Sequence, residues 1–426
     1  MYKRQRECSE LTIPSLVPPE GFTESSNLYT PFQSVGARGV NNLASKMLLL
    51  LLPPNAPYYR LKVTGETKKE IEGNDAKTDV EKTLAQIERE ISANIETLAL
   101  RVPTFELIKH LIVSGNVLAY IPKKGNMRVY PLSQYVCKRD AEGSLLEVVI
   151  KESISPLTLD KDMQMALSQA HGQAYTDEDC DMFTHVYLMP NGKFGVYQEV
   201  KGVKIPTSFG EFKSDQLPFM ALRMIRIDNH NYGRSYVEEF LGDMKSLEGL
   251  SQALVESASA SSKLVFMVKP NAVTKKKDLA RTRNGDIITG TADDVSVLQA
   301  EKQYDLAVVE KAIQRFEERM AHAFLLHTAI QRYAERVTAE EIRYMGQQLE
   351  TALGGVYSLL SQEFQLPLIK MLMDRMSSKG AIPKLPKDIK PTITTGVEAL
   401  GRGNDLSKLQ LSLIHISEPT RLGMIS

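Results

Sequence analysis

The stretch Ser235–Ser262, SYVEEFLGDMKSLEGLSQALVESASASS, predicts one long helix. Ser235 can cap it, because a serine oxygen accepts a hydrogen bond from the free N–H groups of a first turn. About 28 residues at 1.5 Å each give about 42 Å. One narrow apolar seam repeats at spacings of four and three, through Phe240, Met244, Leu247, Ser251 and Leu254. An ordinary core helix remains an alternative to a projecting one, because the seam alone fits both.

A small β-rich segment and a second helix follow this stretch. Residues 263–303 contain three predicted strands, KLVFMV, GDIITG and VSVLQ, with a basic loop between the first two. A helix over Asp305–Phe324 comes next, and a further helix begins at Thr338, where TAEE forms a capping box. Gly354–Gly355 weaken that helix and Pro367 should kink it. The order helix, strands, helix predicts a long projecting hairpin with a small β tip, followed by a loop over Leu326–Val337.

Residues 6–234 predict mixed helices and strands. Helices are predicted over Ser34–Leu52, Thr78–Leu100 and Thr104–Val113, and strands at NVLAYIP, MRVYPL and LEVVIKES. THVYLMPNGKFGVYQEV predicts a hairpin, because Asn191–Gly192 separates two alternating runs. The fold class is therefore α+β.

Composition excludes several classes of protein. The chain of 426 residues is long enough for two or three domains, and its 52 Lys+Arg balance 52 Asp+Glu, so any polyanion contact must be local. Cys8, Cys137 and Cys180 lie far apart, which argues against a disulfide framework or metal knuckle and fits a reducing compartment. The run MLLLLLPP at Met47–Pro54 is much shorter than the about 20 residues of a membrane span, so no membrane partner is predicted.

Both ends of the chain resemble translated sequencing adapters. These are residues 411–426, LSLIHISEPTRLGMIS, and residues 1–5, MYKRQ. We set both aside, and expect the remainder to be a fragment cut at both ends. Their removal leaves a slightly acidic chain, because it takes away more basic than acidic residues: Lys3, Arg4 and Arg421 against Glu418.

No pattern of an enzyme active site stands out. The patterns GxxxxGK[ST], GxSxG and HExxH do not occur, and no cofactor is predicted. The acidic cluster DEDCD could bind a divalent cation through its oxygens, although a solvated loop before a strand is the simpler interpretation; it comprises Asp177, Glu178, Asp179 and Asp181.

Three basic features could meet an anionic partner. The β tip carries a group of five cations that could dock an acidic partner or nucleic acid, or be a solvated loop: Lys275, Lys276, Lys277, Arg281 and Arg283. Lys311, Arg315 and Arg319 lie on one helix face, where they could face phosphates or pair with Glu310, Glu317 and Glu318 of their own or a neighbouring helix. Arg332 and Arg336 lie in the loop before Thr338.

Several segments together resemble the portal, or head-to-tail connector, family of short-tailed bacteriophages. They are TIPSLVPP, VGARGVNNLASKMLLLLLPP, LIVSGNVLAYIP, YGRSYVEEFLGDMKSLEGL and ERVTAEEIRYMGQQLETALGGVYSLLSQEFQLPL. They occur in order over essentially all of residues 6–410, and are family-wide segments rather than short catalytic patterns.

The resemblance implies a homododecameric ring at one capsid vertex, assembled in the host cytoplasm, with a central channel for double-stranded DNA. It implies a wing at 6–234, stem helices at 235–262 and 304–324, and a clip at 263–303. A tunnel loop at 325–337 and a long kinked helix with wing and crown base at 338–410 complete it, with the crown truncated. The implied partners are the terminase large subunit, tail adaptor proteins, and major capsid and scaffold proteins.

In such a ring each loop arginine becomes a circle of positive charge that steadies a sliding duplex without sequence-specific contact. The absence of a nucleotide-binding pattern predicts a passive conduit rather than a motor. Two alternatives remain from the residues alone: a metal-dependent DNA-processing enzyme that uses the acidic cluster, and a structural adaptor without a channel.

Overall fold

A computed structural model describes residues 2–23, 25–53, 58–63, 77–122, 125–159, 164, 179–261, 265–283, 285–298, 303–326, 353, 355–383, 385 and 388–393. Helices and strands alternate irregularly along these ranges, so the predicted α+β class is confirmed. None of the helices in the described ranges has the length and hydrophobicity needed to cross a membrane.

Four helices form the first layer of the fold. They are α1 (Tyr2–Glu10), α2 (Val35–Leu51), α3 (Lys77–Thr97) and α4 (Arg101–Ser114). Three of them match the predicted helices to within a few residues, and α1 includes residues 2–5, which resembled adapter sequence. The side chain of Gln5 is buried.

Two antiparallel sheets form the second and third layers. The three-stranded sheet has the order β10 (Phe219–Arg223), β2 (Asn116–Tyr120), β3 (Arg128–Pro131). The six-stranded sheet runs through five neighbouring strands, β4 (Tyr135–Arg139), β5 (Leu145–Ile154), β6 (Cys180–Leu188), β7 (Phe194–Val200) and β8 (Val203–Lys204), with β9 (Gly210–Phe212) also on β7. The predicted hairpin at Asn191–Gly192 is confirmed as the β6–β7 connection, where Gly192 has φ +76°.

Strand β2 shows how the layers share their cores. Successive side chains of a strand point to opposite faces of its sheet. Val117 and Ala119 accordingly belong to the large core shared with the helices, whereas Leu118 belongs to the smaller core beneath the six-stranded sheet. The three-stranded sheet is therefore the middle layer.

The chain then leaves these layers as a helical hairpin. α5 (Tyr236–Glu239) and α6 (Leu241–Ser261) lead out, and α8 (Gln303–Ala323) returns. Ser235 caps α5 as predicted, with its Oγ accepting from the N–H of Glu238 at 2.9 Å. The predicted single helix is wrong in one respect, because Phe240 leaves helical geometry (φ −107°, ψ 9°) and packs its ring against Tyr236 and Phe324.

The β tip between these helices is smaller than predicted. Strands β11 (Val265–Val268) and β12 (Val295–Leu298) pair, and the short helix α7 (Lys276–Arg281) replaces the predicted basic loop. The predicted strand GDIITG does not form. Gly285 lies at φ +95°, Gly290 packs so tightly against Thr274 that no side chain fits, and Ile287 is fully exposed.

The last helical segment contains a π-helical turn. α9 (Gly355–Leu360) passes into a π-helix over Ser361–Gln365 and then into α10 (Leu366–Ser378). Pro367 lies in the first turn of α10, and since it has no N–H it cannot bond to the carbonyl four residues earlier. The irregularity we predicted at Pro367 thus takes the form of a widened turn just before it.

Strands β1 (Tyr59–Val63) and β13 (Ile389–Ile393), distant in sequence, pair antiparallel.

A buried ion pair joins this π-helical turn to the middle sheet. Arg223 of β10, whose side chain is 3% exposed, donates a short hydrogen bond to Glu363. Two further guanidinium nitrogens of Arg223 and the second carboxylate oxygen of Glu363 have no hydrogen-bond partner among the described residues. Arg223 therefore depends on Glu363 for compensation of its charge, whereas Glu363 is 20% exposed and also lies within the electrostatic range of Arg139.

Replacing either partner alone, as Arg223→Met or Glu363→Met, should lower the free energy of unfolding by about 3–5 kcal/mol, because a lone buried charge remains. The double variant should lose less than the sum of the two. Urea denaturation followed by circular dichroism measures both. Lys193→Met is the control, since the Lys193–Glu211 pair is half-exposed and should contribute about 0–1 kcal/mol. Equal small losses for all variants would contradict the argument.

Candidate functional site

The projecting hairpin is the first candidate site, because it places charge on an outward helix face. The predicted seam of α6 is confirmed as its inward face: Met244 and Leu247 are buried, and Ser251 and Leu254 are partly buried. Opposite the seam lie small exposed residues, including Gly242, Ser246, Gly249 and Ala253. The same exposed face also carries Lys245, which pairs with Glu7 at 2.6 Å, and Glu256, so α6 presents mostly small residues with one charge of each sign.

The predicted stripe on α8 divides into two parts. All three side chains are exposed, but Arg319 forms an ion pair with Asp243 of α6 at 2.7 Å and lies over the ring of Phe316. The alternative that the stripe pairs with carboxylates therefore holds for Arg319. Its partner lies on the neighbouring helix, however, and is not Glu310, Glu317 or Glu318. Lys311 and Arg315 form no ion pair within the described residues. They are the two cations of the stripe that remain available to a partner.

The C-terminal end of α8 is held in an unusual backbone conformation. Leu325 has φ +55°, in the left-handed region that side chains other than glycine and asparagine rarely adopt. Such a residue ends a helix by turning the chain, here with the N–H of Leu325 bonding to the carbonyl of His322 at 3.1 Å. For leucine the conformation costs about 1–2 kcal/mol, so surrounding contacts must stabilise it.

Three side chains supply those contacts, and we call them the carbonyl clamp: Asn42, Lys46 and Tyr236. The amide of Asn42 donates to the carbonyls of Phe324 at 2.9 Å and Leu325 at 3.1 Å. The ammonium of Lys46 donates to the carbonyl of Leu325 at 2.6 Å, and the hydroxyl of Tyr236 to that of Ala323 at 2.8 Å. The last carbonyls of a helix have no partner within it, so side chains complete their hydrogen bonding.

The ammonium group of Lys46 is buried. Its residue is 6% exposed, and burial lowers the pKa of its ammonium. The negative end of a helix dipole favours a cation at this position. The end of α8 is therefore both an acceptor and a partial counter-charge for Lys46.

Gly39 allows α2 to approach the end of α8 closely enough for Asn42 and Lys46 to reach the carbonyls of Phe324 and Leu325. A Cβ built on Gly39 would lie 2.6 Å from Cγ and 2.9 Å from Cβ of Phe324, closer than atoms can approach. Gly39, Asn42 and Lys46 follow one another at spacings of three and four, so they lie on one face of α2. That spacing is a signal in the sequence, but nothing in the sequence indicates which element the face meets.

A second buried carboxylate ties the hairpin to the N-terminal segment. Glu248 of α6 is 6% exposed and accepts hydrogen bonds from the hydroxyl of Tyr29 at 2.6 Å and the N–H of Phe32 at 2.8 Å. The hydrogen bond to Glu248, together with burial, raises the pKa of Tyr29 to about 12. Sequence reasoning missed this contact because it joins residues more than 200 positions apart.

The cations of the β tip are all solvent-exposed. Lys276, Lys277 and Arg281 lie on α7, preceded by Lys275, and Arg283 follows the helix. Asp294 supports the base of this segment by accepting from the N–H of Val273 at 3.0 Å and from the N–H and hydroxyl of Thr274 at 3.2 Å. The tip thus presents its basic group from a hydrogen-bonded base, beside exposed apolar side chains at Phe266, Val273 and Ile287.

Only part of the acidic cluster lies within the described residues. Asp177 and Glu178 lie outside the described residues, and Asp181 forms an ion pair with Lys151 at 2.7 Å. Within the described ranges, His, Cys, Asp and Glu side chains form no group of three that could hold a metal ion. Arg332, Arg336 and the predicted cap at Thr338 also lie outside the described residues.

Comparison with known proteins then bears on the identity of this arrangement. The family model described as bacteriophage head to tail connecting protein matches residues 1–418. The chain belongs to this family. It is a head-to-tail connector, or portal, protein of the bacteriophage type, so the predicted resemblance is confirmed.

Individual relatives agree with the family assignment. The chain is 43% identical over 414 residues to the portal protein of Enterobacteria phage T3, covering 96% of this chain and 77% of that one. It is 43% identical over 415 residues to the portal protein of Escherichia phage T7, with the same coverage of 96% and 77%. The portal protein of Enterobacteria phage SP6 is 29% identical over 419 residues, covering 98% of this chain and 80% of that one.

Solved structures show a more distant likeness. A chain from the virion of a native gene transfer agent particle superposes with a TM-score of 0.41 at 10% identity, covering 91% of this chain and 87% of that one. A chain from the neck of the empty particle gives a TM-score of 0.41 at 11% identity, covering 92% and 88%.

The contact between Gly39 and Phe324 predicts a size limit at residue 39. Gly39→Ala should destabilise the protein by about 1–3 kcal/mol, because a methyl group overpacks the contact with Phe324. Thermal or urea unfolding measures the change.

The matched control is Gly249→Ala on the exposed face of α6, where no atom lies within 4 Å of the added carbon. This control should stabilise by about 0.5–1 kcal/mol, because alanine favours the helix over glycine. Similar effects at both positions would show that helix propensity, rather than contact, decides the outcome at Gly39.

Proposed function

We propose that copies of this chain close into a dodecameric ring at one capsid vertex and form a passive channel through which double-stranded DNA enters and leaves the capsid. Family membership supports the portal role, and the long hairpin with its exposed basic residues is the observation that supports the channel. Homo-oligomers usually close by rotational symmetry, so each exposed cation is repeated around the ring.

The α6–α8 hairpin serves as the stem in this proposal. Residues 235–262 and 304–324 form it, the wing comprises 6–234, and the clip comprises 263–303. Lys311 and Arg315 face the phosphates, while Arg319 keeps its pair with Asp243. Two cations for each copy, set among glutamates on the same helix, suit weak contacts that slide along the backbone rather than grip it.

The segment 325–337 is the tunnel loop, and Arg332 and Arg336 add two further circles of charge. Residues 338–410 supply a long kinked helix with the wing and crown base. No base-reading pattern is present in the sequence, so contact is independent of DNA sequence.

The β tip is the docking platform of the proposal. Its group of five cations receives acidic surfaces of the terminase large subunit during packaging and of tail adaptor proteins afterwards. Major capsid and scaffold proteins meet the ring during capsid assembly in the host cytoplasm, and the assembled ring is part of the virion. The ATPase of packaging belongs to the terminase, and this chain is not an enzyme.

Replacing Arg332 and Arg336 with alanine should leave rings intact and reduce the number of DNA-filled heads, because the loop no longer steadies the duplex. Negative-stain microscopy counts rings, and sedimentation of heads separates filled from empty ones. The control is Lys138→Ala with Lys213→Ala, two exposed cations of the wing. Normal filling in the arginine double variant would overturn the role of the loop.

Replacing Lys311 and Arg315 with glutamine should weaken the binding of isolated rings to duplex DNA and flatten its salt dependence, because fewer counterions are released. Fluorescence anisotropy at several salt concentrations gives the slope. The matched control, Glu310→Gln with Glu318→Gln on the same helix, should leave the slope unchanged, because glutamates neutralise no phosphates. An unchanged slope in the cation variant would place the stripe away from DNA.

The two competing functions have their own tests. A metal-dependent nuclease would cleave duplex DNA when Mg²⁺ is added to purified protein. A structural adaptor without a channel would give particles without a central hole in negative stain. The ring proposal expects no cleavage and circular particles with a hole.

A further inference from the structure

We infer that Arg139, Arg223 and Arg226 form a binding site for a small oxyanion of the phosphate class, at the turn between β4 and β5. The direct support is that Arg223, whose side chain is 3% exposed, leaves Nε and Nη1 without a hydrogen-bond partner among the described residues. Buried donors without a partner are costly, so an acceptor is expected beside them. The inference is independent of the proposed ring and channel.

Two guanidinium groups meet beside Gly143, a residue of this turn with φ +88°. A Cβ built on Gly143 would lie 3.1 Å from Nη1 of Arg223 and 3.4 Å from Cζ of Arg226. Because glycine has no side chain, nothing from residue 143 separates the two groups. The turn therefore brings two like charges close together, which is unfavourable unless an anion lies near them.

Arg139 adds a third positive charge to this region. Its guanidinium group donates to three backbone carbonyls, those of Gly143 at 2.9 Å, Ala221 at 2.6 Å and Asn231 at 3.1 Å. These bonds satisfy the donors but bring no negative charge. Burial, together with the charge of Arg223, lowers the pKa of Arg139. Arg139 therefore holds the turn in place and makes the site more positive.

The neighbouring carboxylates do not balance the three arginines. Glu363 pairs with Arg223, and a carboxylate oxygen of Asp228, whose side chain is 85% exposed, lies 3.4 Å from Nε of Arg226. The two acidic residues of the turn form no ion pair with these arginines within the described ranges: Asp140 and Glu142. One positive charge is thus in excess, next to a buried guanidinium group that water screens poorly.

The donors of this site fit a small phosphate-like anion. Phosphate has four oxygens, so it can accept hydrogen bonds from Arg223 and Arg226 at once, and guanidinium groups commonly bind phosphate through two parallel bonds. Arg223 is buried too deeply for a DNA duplex or a protein surface to reach it. The side chain of Arg226 is 41% exposed and gives a free anion access from solvent. The bound anion joins the β4–β5 turn to β10.

The experiment measures phosphate binding to the full chain. Calorimetric titration with sodium phosphate gives the dissociation constant, and thermal unfolding gives Tm in phosphate and in sodium chloride of equal ionic strength. We expect saturable binding and a rise in Tm that follows the same dissociation constant, because a ligand of the folded state stabilises it by mass action. Phosphate also stabilises proteins by exclusion from their surfaces, an effect that requires no site.

Arg226→Gln separates the site from this general effect, because it removes a partly exposed guanidinium group and should leave the fold intact. It should weaken phosphate binding by about tenfold, the factor that corresponds to losing one charge-assisted hydrogen bond. The matched control is Arg89→Gln, which removes an exposed arginine from α3 and should leave the binding unchanged.

Asp228→Asn should act in the opposite direction. It removes the exposed carboxylate that competes for Arg226, so phosphate should bind about two- to fivefold more tightly. A structural role for the arginines alone does not predict this gain. Asp228→Asn also decides the matter if Arg226→Gln does not fold.

The results that would overturn the inference are specific. They are the lack of saturable binding, an equal rise in Tm for Arg226→Gln and the unchanged chain, equal weakening in Arg89→Gln, and binding that Asp228→Asn does not tighten. Neither measurement requires rings or DNA, so a failure here leaves the proposed function untouched. Likewise, particles without a central hole would overturn the proposed ring and leave the anion site standing.

Discussion

The arrangement of this protein depends on one constraint: backbone carbonyls at the helix ends around α2 must accept hydrogen bonds from side chains of other segments. From the middle of α2, Asn42 and Lys46 donate hydrogen bonds to the carbonyls that terminate α8. At the C-terminal end of α2, Gln365 of the π-helical turn donates to the carbonyl of Leu51 at 2.8 Å, and Arg101 of α4 donates to that of Leu52 at 2.8 Å. Helix ends buried without partners are costly, so these bonds fix how four segments meet.

α2 consequently links the α6–α8 hairpin to the π-helical turn between α9 and α10. The π-helical turn that reaches α2 through Gln365 also reaches the middle sheet through Glu363 and Arg223. Polar contacts on α2 and on the π-helical turn thus connect the end of α8 to the middle sheet. Removing one partner of a buried polar pair leaves the other unsatisfied, so these contacts tolerate little change on either side.

The charges outside this framework are distributed differently. Those inside pair with one another or with backbone groups, whereas Lys311, Arg315 and the five cations of the β tip remain exposed. A chain with balanced total charge can therefore offer local positive surfaces without a general attraction to nucleic acid.

Local patterns in the sequence determined the helices of the α6–α8 hairpin, the cap at Ser235, the turn at Asn191–Gly192 and the α+β class, because each depends on neighbours a few residues apart. The same patterns wrongly predicted a strand at GDIITG. They also missed the break in the helix at Phe240, where packing against Phe324 overrides helical periodicity. Only the tertiary structure decided three polar contacts. Asp243 forms an ion pair with Arg319, Glu248 accepts a hydrogen bond from Tyr29, and Lys46 donates one to the carbonyl of Leu325. These contacts join residues tens to hundreds of positions apart, and a sequence shows which groups need partners without showing where the partners lie.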